Sequence, residues 1–270
     1  MTMSILDQII AYKRDVELPT RRAELPLVEM RARALAAPPA LDFISALRSA
    51  LPGAHPPRLI AEIKRASPSK GLLCPQFDPL RLAEAYQAGG AAAVSVLTDV
   101  HFFQGGLDDL RSVRQRFPRL PLLRKDFILD PYQVYETRAA GADALLLIAA
   151  ALQDDVLNEL LALTCALGMA ALIEVHDEVE LQRALACSPR LVGVNNRNLR
   201  TFQVDLSTCL SLRALTPREV CFVAESGIHT RADVQRLASA GIDAMLIGEA
   251  LVTAPDIDIK MKELIGDHAC

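Results

Sequence analysis

No stretch of this 270-residue chain is apolar for long enough to cross a bilayer: the longest uninterrupted apolar run, Ala144 to Leu152, falls far short of the roughly 20 residues a membrane helix needs. The opening residues carry Asp7 and no basic block leading into an apolar one, so neither a secretory nor a transit peptide is expected. Basic residues are not clustered either. With 29 Lys and Arg against 33 Asp and Glu the formal charge is −4, and nothing is built to track a phosphate backbone, which argues against general nucleic-acid affinity. The six cysteines form no C-x-x-C pair and the five histidines no H-x-x-x-H pair, so reduced thiols and no structural zinc are expected. The expected setting is the cytoplasm, with neither a membrane nor a nucleic acid as partner.

What is present is a folded, core-forming composition: 51% of residues are hydrophobic and 23% charged. The length suits one large domain, or a barrel of about 250 residues with a short extension. Short β-branched or leucine-rich runs fall at 58–64, 92–98, 120–127, 144–149, 171–176, 191–195, 220–225 and 244–248. Helical patterns lie between them, the clearest being Val156, Leu160, Leu163 and Leu167, and Val234, Leu237 and Ala238 behind the N-cap candidate Thr230. The pairs Gly90-Ala91, Gly141-Ala142 and Gly241-Ile242 sit where helices should stop and strands begin.

Strict alternation of strand and helix gives an α/β fold with a parallel sheet, either closed or doubly wound. The strand count favours a closed (β/α)8 TIM barrel, and the first strand is followed by Lys64-Arg65-Ala66-Ser67-Pro68-Ser69 rather than by a dinucleotide-binding glycine pattern. Residues 1–57 read as an N-terminal helical extension packed on a 58–270 catalytic barrel, the two forming one structural domain. In the extension Ser4 is placed to cap a helix with Leu6, Ile9 and Ile10 as its apolar stripe, and Phe43 with Leu47 begins a second helix after the Pro38-Pro39 break. Two roles are open to it: covering the barrel floor, or closing over substrate.

Several predicted strands carry charges where apolar residues belong. Side chains alternate along a strand, so in Leu59-Ile60-Ala61-Glu62-Ile63-Lys64 the residues Glu62 and Lys64 share one face and Ala61 and Ile63 the other. The apolar face must meet the helices, which turns Glu62 and Lys64 into the barrel, where an unpaired charge is costly. The same parity turns Lys125 and Glu174 inward and aligns Gly193, Asn195 and Arg197. Single ion pairs such as Lys64 with Glu62 or Lys125 with Glu174 have a purely structural reading. Polar groups at the ends of five strands point instead to an active site at the C-terminal mouth. Glu225-Ser226-Gly227-Ile228 and Ile247-Gly248-Glu249-Ala250 fall where barrels hold phosphate on backbone N–H groups. His101, His176 and His229 are read as capping or surface residues, and Phe102-Phe103-Gln104-Gly105-Gly106 as a mouth loop, flexible through its glycines or packed through its phenylalanines.

The segments Ala61-Glu62-Ile63-Lys64-Arg65-Ala66-Ser67-Pro68-Ser69, Leu123-Arg124-Lys125-Asp126-Phe127, Ile173-Glu174-Val175-His176, Val194-Asn195-Asn196-Arg197-Asn198-Leu199 and Ala224-Glu225-Ser226-Gly227 resemble, in sequence and in order, those of the indole-3-glycerol phosphate synthase family. The resemblance implies a carboxy-lyase of tryptophan biosynthesis that closes, decarboxylates and dehydrates 1-(2-carboxyphenylamino)-1-deoxyribulose 5-phosphate, with no cofactor and no metal. It implies Lys125 as general acid toward the ribulose carbonyl, with Lys64, Glu62 and Glu174 as the other catalytic groups and the base among them left open. Asn195, Arg197, Ser67, Phe127 and Glu225 are implied as substrate contacts, and Ser226, Gly227, Gly248 and Glu249 as phosphate contacts. A lysine acid is expected to have its pKa lowered by desolvation and by nearby cations, Lys64 and Lys125 depressing one another. Glu249 replaces a small hydroxyl residue of several family members, and because a carboxylate repels phosphate its side chain is expected to point away. Phosphoribosylanthranilate isomerase, another phosphate-binding barrel, calls for a Cys-Asp pair that the first strand lacks. The protein is expected to be monofunctional, acting on a small molecule as a monomer or in association with other tryptophan-pathway enzymes.

Overall fold

The computed structural model describes residues 4–48, 56–198 and 203–266. Leu199, at the edge of the Asn-Asn-Arg-Asn-Leu segment, lies outside the described residues. Among those described, eight parallel strands form a closed barrel: β1 (Arg58–Ile63), β2 (Ala93–Leu97), β3 (Leu122–Lys125), β4 (Ala144–Ile148), β5 (Ala170–Val175), β6 (Leu191–Asn195), β7 (Cys221–Glu225) and β8 (Ala244–Ile247). Each strand pairs with the next, and β8 returns to β1 with Arg58 opposite Ala244. Every strand coincides with one of the predicted runs to within two residues at either end.

The helices between strands begin and end on local chemistry. Asp78 and Asp130 cap helices α5 (Pro79–Ala88) and α7 (Pro131–Ala139), each with proline in the first turn, where its missing N–H costs nothing. Thr230 caps the helix Arg231–Ser239 in a capping box with Asp233. Gly141 and Gly241, at φ 86° and 70°, turn the chain from helix to strand in the left-handed region, as the punctuation implied.

The barrel has two cores. Leu59, Ala61 and Ile63 face the helices, whereas Ile60, Leu123, Leu172, Val223 and Leu246 fill the interior. This is the alternation that sends Glu62, Lys125, Glu174 and Glu225 inward at the opposite end of the same strands.

The extension is more helical than its periodicity suggested. Helix α1 (Ile5–Tyr12) has the expected Ser4 cap, and it runs through a π-helical segment (Lys13–Glu17) into α2 (Leu18–Glu24), followed by α3 (Leu27–Ala36) and α4 (Phe43–Leu47). Helices α2 and α3 were missed because each buries few residues, Leu18 in α2 and Met30 and Ala34 in α3, too few to form a continuous apolar stripe. Its helices lie at both ends of the barrel. Phe43, Ile44 and Leu47 of α4 plug the barrel interior beside Ala93, Ala144, Leu191 and Ala244, the first residues of their strands, so α4 is the floor. Ile5, Leu6 and Ile9 of α1 lie at the other end and line the mouth cavity. No helix among the described residues is long and apolar enough to cross a membrane.

At the floor the buried Asp143 carboxylate accepts the N–H groups of Leu41 and Leu122 at 2.8 Å each and pairs with Arg114, joining the extension to β3 and to helix α6 (Leu107–Arg116). Asp143→Ala is expected to cost about 3–5 kcal/mol by stranding these partners. Because the mouth is at the other end of the barrel, kcat should be unchanged. Urea unfolding of the variant measures this, and an unfolding free energy equal to that of the parent contradicts the assigned role.

Candidate active site

Five of the eight strands, β1, β3, β5, β6 and β7, carry polar residues at the mouth, as the sequence pattern implied. A cavity of about 200 Å³ there is lined by Glu62 and Lys64 from β1 and its exit, Ser67 from the hairpin that follows, Lys125 and Phe127 from β3 and its exit, Glu174 from β5, and Asn195 and Arg197 from β6 and its exit. Glu225, Ser226 and Gly227 at the end of β7 and Gly248 and Glu249 at the end of β8 complete the ring. All the residues singled out in the sequence thus share one cavity.

At its centre Lys125 Nζ lies 2.9 Å from Glu174 Oε2 and 2.7 Å from Glu225 Oε2. Burial acts to lower the Lys125 pKa, but Glu174, Glu225 and Glu62 outweigh it and hold the ammonium charged well above the ordinary lysine range. The expected depression by Lys64 is therefore overturned: the charges nearest Lys125 are carboxylates. Lys64 pairs with Glu62 at 3.4 Å, and its Nζ lies 5.9 Å from the centre of the Phe103 ring.

The carboxylates around Lys125 are unequal. Burial pushes Glu174 upward, but Lys125 and His176 outweigh it and hold the group well below the usual carboxylate range. Burial likewise pushes Glu225 up, Lys125 pulls it down and Glu174 pushes it up again, leaving it at about 7. Glu225 Oε1 has no hydrogen-bond partner among the described residues. Two glycines make room for these groups. A Cβ on Gly193 would strike Glu225 Oε1, and one on Gly248 would strike Glu62 Oε2. Gly248 was read as a phosphate contact; its missing side chain also gives Glu62 its place.

The side of the cavity read as the phosphate site is built differently from the expectation. Glu249 does not point away: it lines the cavity, pairs with Lys70 from the β1 hairpin, and lies 3.7 Å from Arg197. Burial raises its pKa, but Lys70 and Arg197 outweigh this and hold it ionised, so the two cations are the reason it turns inward. Ser226 adopts φ 63°, in a region non-glycine residues rarely enter, and Gly227 follows at φ 77°. Backbone strain of about 1–3 kcal/mol kept at a turn that lines a cavity is the pattern of a ligand-holding turn.

Other residues of the site were not found from sequence. His176 was set aside, yet its ring nitrogens lie 3.3 Å from Glu174 and 3.0 Å from Glu180. Burial acts to lower its pKa, but the bonds and charges of Glu174 and Glu180 raise it to about 10, which makes it a second cation on Glu174. The parity that found Glu174 also covers His176, two residues on. Asn196, buried within the motif, donates to the carbonyls of Glu225 and Ser226 at 2.9 and 3.1 Å and accepts the Cys209 N–H at 3.0 Å, fixing β6 to the end of β7. Hydrogen bonds hold the mouth loop: the Phe102 and Phe103 N–H groups donate to Asp99 at 2.6 and 3.1 Å, and the absence of a side chain at Gly105 allows its close approach to the Leu97 carbonyl.

A closed (β/α)8 barrel with a lysine–carboxylate cluster in a cavity at its C-terminal mouth defines a barrel enzyme equipped for acid–base chemistry. The particular family follows from its relatives. Residues 6–264 match the family model described as indole-3-glycerol phosphate synthase, and the chain belongs to that family. It is 54% identical over 270 residues to the indole-3-glycerol phosphate synthase of Roseiflexus sp. (strain RS-1), covering 97% of this chain and 98% of that one. The corresponding protein of Albidiferax ferrireducens is 50% identical over 260 residues, covering 96% and 97%. Among solved structures, 3-hexulose-6-phosphate synthase from Salmonella typhimurium superposes with a TM-score of 0.61 at 12% identity, covering 77% of this chain and 96% of that one. A chain from the tryptophan synthase α2β2 complex of Pyrococcus furiosus does so at 0.57 and 14%, covering 80% and 99%. At such identities these two share the fold alone.

Because Glu225 is pushed up to about 7, it gains a proton, and loses its charge beside Lys125, as pH falls through that value. kcat/KM should therefore fall as pH drops through about 7, and Glu225→Gln should remove this limb and leave a lower, flatter profile. Steady-state rates across pH 5–9 measure it; an unchanged acid limb in the variant would assign the limb to another group.

Proposed function

We propose that the mouth cluster forms the indole ring with Lys125 as proton donor, Lys64 as the acid of dehydration and Glu225 as the base. The reaction itself comes with the family: ring closure, decarboxylation and dehydration of 1-(2-carboxyphenylamino)-1-deoxyribulose 5-phosphate to indole-3-glycerol phosphate, the work of a carboxy-lyase in tryptophan biosynthesis. The observation that carries the residue roles is the placement of Lys125 between Glu174 and Glu225 at the cavity.

The aniline ring rests against Phe103 and Phe127, whose ring centres are 6.0 Å apart, and against Ile5, Leu6 and Ile9 of α1. The strained Ser226-Gly227 turn and the Gly248-Glu249 backbone receive the phosphate, with Ser67 nearby. Arg197 takes the carboxylate, its backbone N–H anchored by Asn195 Oδ1 at 3.1 Å. Held at both ends, the substrate has its reacting carbons brought together, so part of its binding energy is converted into rate.

The ring carbon bearing the carboxylate attacks the ketone carbon, a carbon–carbon bond forms, and Lys125 gives a proton to the oxygen as it becomes alkoxide. An ammonium held above the usual range is a reluctant acid, but an alkoxide is a far stronger base than a ketone oxygen, so the transfer waits for bond formation. Glu174, kept ionised by Lys125 and His176, faces the positive charge that develops on the ring nitrogen. Loss of carbon dioxide leaves its electron pair in the ring and cancels that charge. The hydroxyl then departs as water with a proton from Lys64, which Glu62 keeps in place, while Glu225 takes a proton from carbon and returns it to Lys125, 2.7 Å away. One further proton from solvent restores Lys64, matching the proton that decarboxylation consumes.

We take residues 1–57 and 58–270 as one structural domain working in the cytoplasm, alone or beside other enzymes of the tryptophan pathway. Incubation of the purified protein with the carboxyphenylamino-ribulose phosphate, followed by indole fluorescence, tests the activity, with the expected product forming well above the uncatalysed background. Lys125→Ala should keep the fold and lose about 100-fold or more in kcat. No product from the parent protein sinks the reading, and full turnover by the variant takes the donor role from Lys125.

A further inference from the structure

Lys13 follows α1, in the π-helical segment, yet its side chain is fully buried. Its ammonium lies 2.7 Å from Asp126, 3.0 Å from Asp99 and 2.9 Å from Glu17. Asp99 and Asp126 are themselves fully buried and stand just past the ends of β2 and β3. Each organises a piece of the mouth. Asp99 accepts the Phe102 and Phe103 N–H groups, which sets the Phe103 ring beside Phe127 and below Lys64. Asp126 follows Lys125 in sequence, accepts the Thr98 hydroxyl at 2.6 Å and the Phe127 N–H at 2.8 Å, and pairs with Arg124 at 2.9 Å.

Two buried carboxylates that share a neighbourhood repel each other and lose their ionised form unless a cation stands between them. Arg124 serves Asp126 and helix α7, through Glu136 at 2.8 Å, and does not pair with Asp99. Among the described residues Lys13 is the one cation paired with both aspartates. Tyr12 continues the contact by stacking on His101, with ring centres 4.2 Å apart, in the loop that Asp99 pins.

We propose that Lys13 is a positioning residue for the reaction: from the N-terminal extension it ties the ends of β2 and β3 together through Asp99 and Asp126, so that Phe103 and Lys125 face the substrate in register. It touches neither the cavity nor a reacting atom and acts only through the two aspartates. The proposal rests on the roles given above to Lys125 and Phe103. It goes beyond them in making the extension a part of the catalytic geometry rather than a cover.

The test uses the full chain with Lys13→Met, which keeps the length and apolar stem of the side chain but removes its charge. The variant should elute and give a circular dichroism spectrum like the parent, yet lose about 100-fold in kcat/KM, the scale of an ångström-sized misplacement. The loss should divide between KM, through Phe103, and kcat, through Lys125. In Lys13→Ala, added methylammonium should restore activity in a saturable way, while tetramethylammonium at the same ionic strength should not. Should Lys13→Met fail to fold, the charge-balanced double variant K13M/D99N carries the same expectation. A folded single or double variant with the parent's kcat and KM overturns the proposal, since a merely adhesive lysine moves only stability. An inactive parent protein would instead sink the functional reading, so the two failures are distinguishable.

Discussion

The Lys125 ammonium, 2.9 Å from Glu174 and 2.7 Å from Glu225, is the contact around which the rest of the mouth is arranged. A charge this deep is tolerable only with partners, and each partner brings a requirement of its own. Glu174 takes His176 as a second cation, and His176 in turn takes Glu180. Glu225 needs the bare backbone of Gly193 to have room for its carboxylate, and Asn196 to hold the strand end that carries it. The glycine, the asparagine and the histidine follow from placing one lysine at the end of β3.

That cluster sits on a second one, immediately behind it and turned the other way. Arg124 and Asp126 flank Lys125 in sequence, and because strand residues alternate faces they point toward the helices, where they meet Lys13 and Glu136. Arg21 of α2 continues the chain of charges through Glu136 at 2.6 Å and Glu17 at 2.9 Å. The inner network offers charge to a substrate and the outer one fixes the strand that offers it. Burial of so many ionised groups buys geometry rather than stability, since apolar residues of equal volume would hold the barrel together at least as well.

Much of this was legible in the sequence, and the reason is parity. Short apolar runs located the strands, and period-two parity within them then marked Glu62, Lys64, Lys125 and Glu174 as charges on the inward face without reference to any relative. The indole product was legible only through family motifs. What stayed hidden depended on contacts between distant segments. The direction of the Lys125 shift was misjudged because spacing within strands says nothing about which strand lies opposite, and the neighbours proved to be glutamates. Glu249 was expected to avoid the cavity, but Lys70 and Arg197, far from it in sequence, draw it in. Lys13 gave no signal, since a lysine in a short helical extension looks like a solvated one until the fold sets two aspartates against it.

The central claim is that Lys125 works as a carboxylate-clamped ammonium and not as a lysine of lowered pKa. Nitrogen-15 NMR of the lysine side chains, with the Lys125 signal assigned by its loss in a Lys125→Arg variant, measures its protonation directly. The account predicts a signal that remains that of an ammonium beyond about pH 10.4, where an ordinary lysine is half deprotonated. A Lys125 signal that titrates near neutral pH would contradict it.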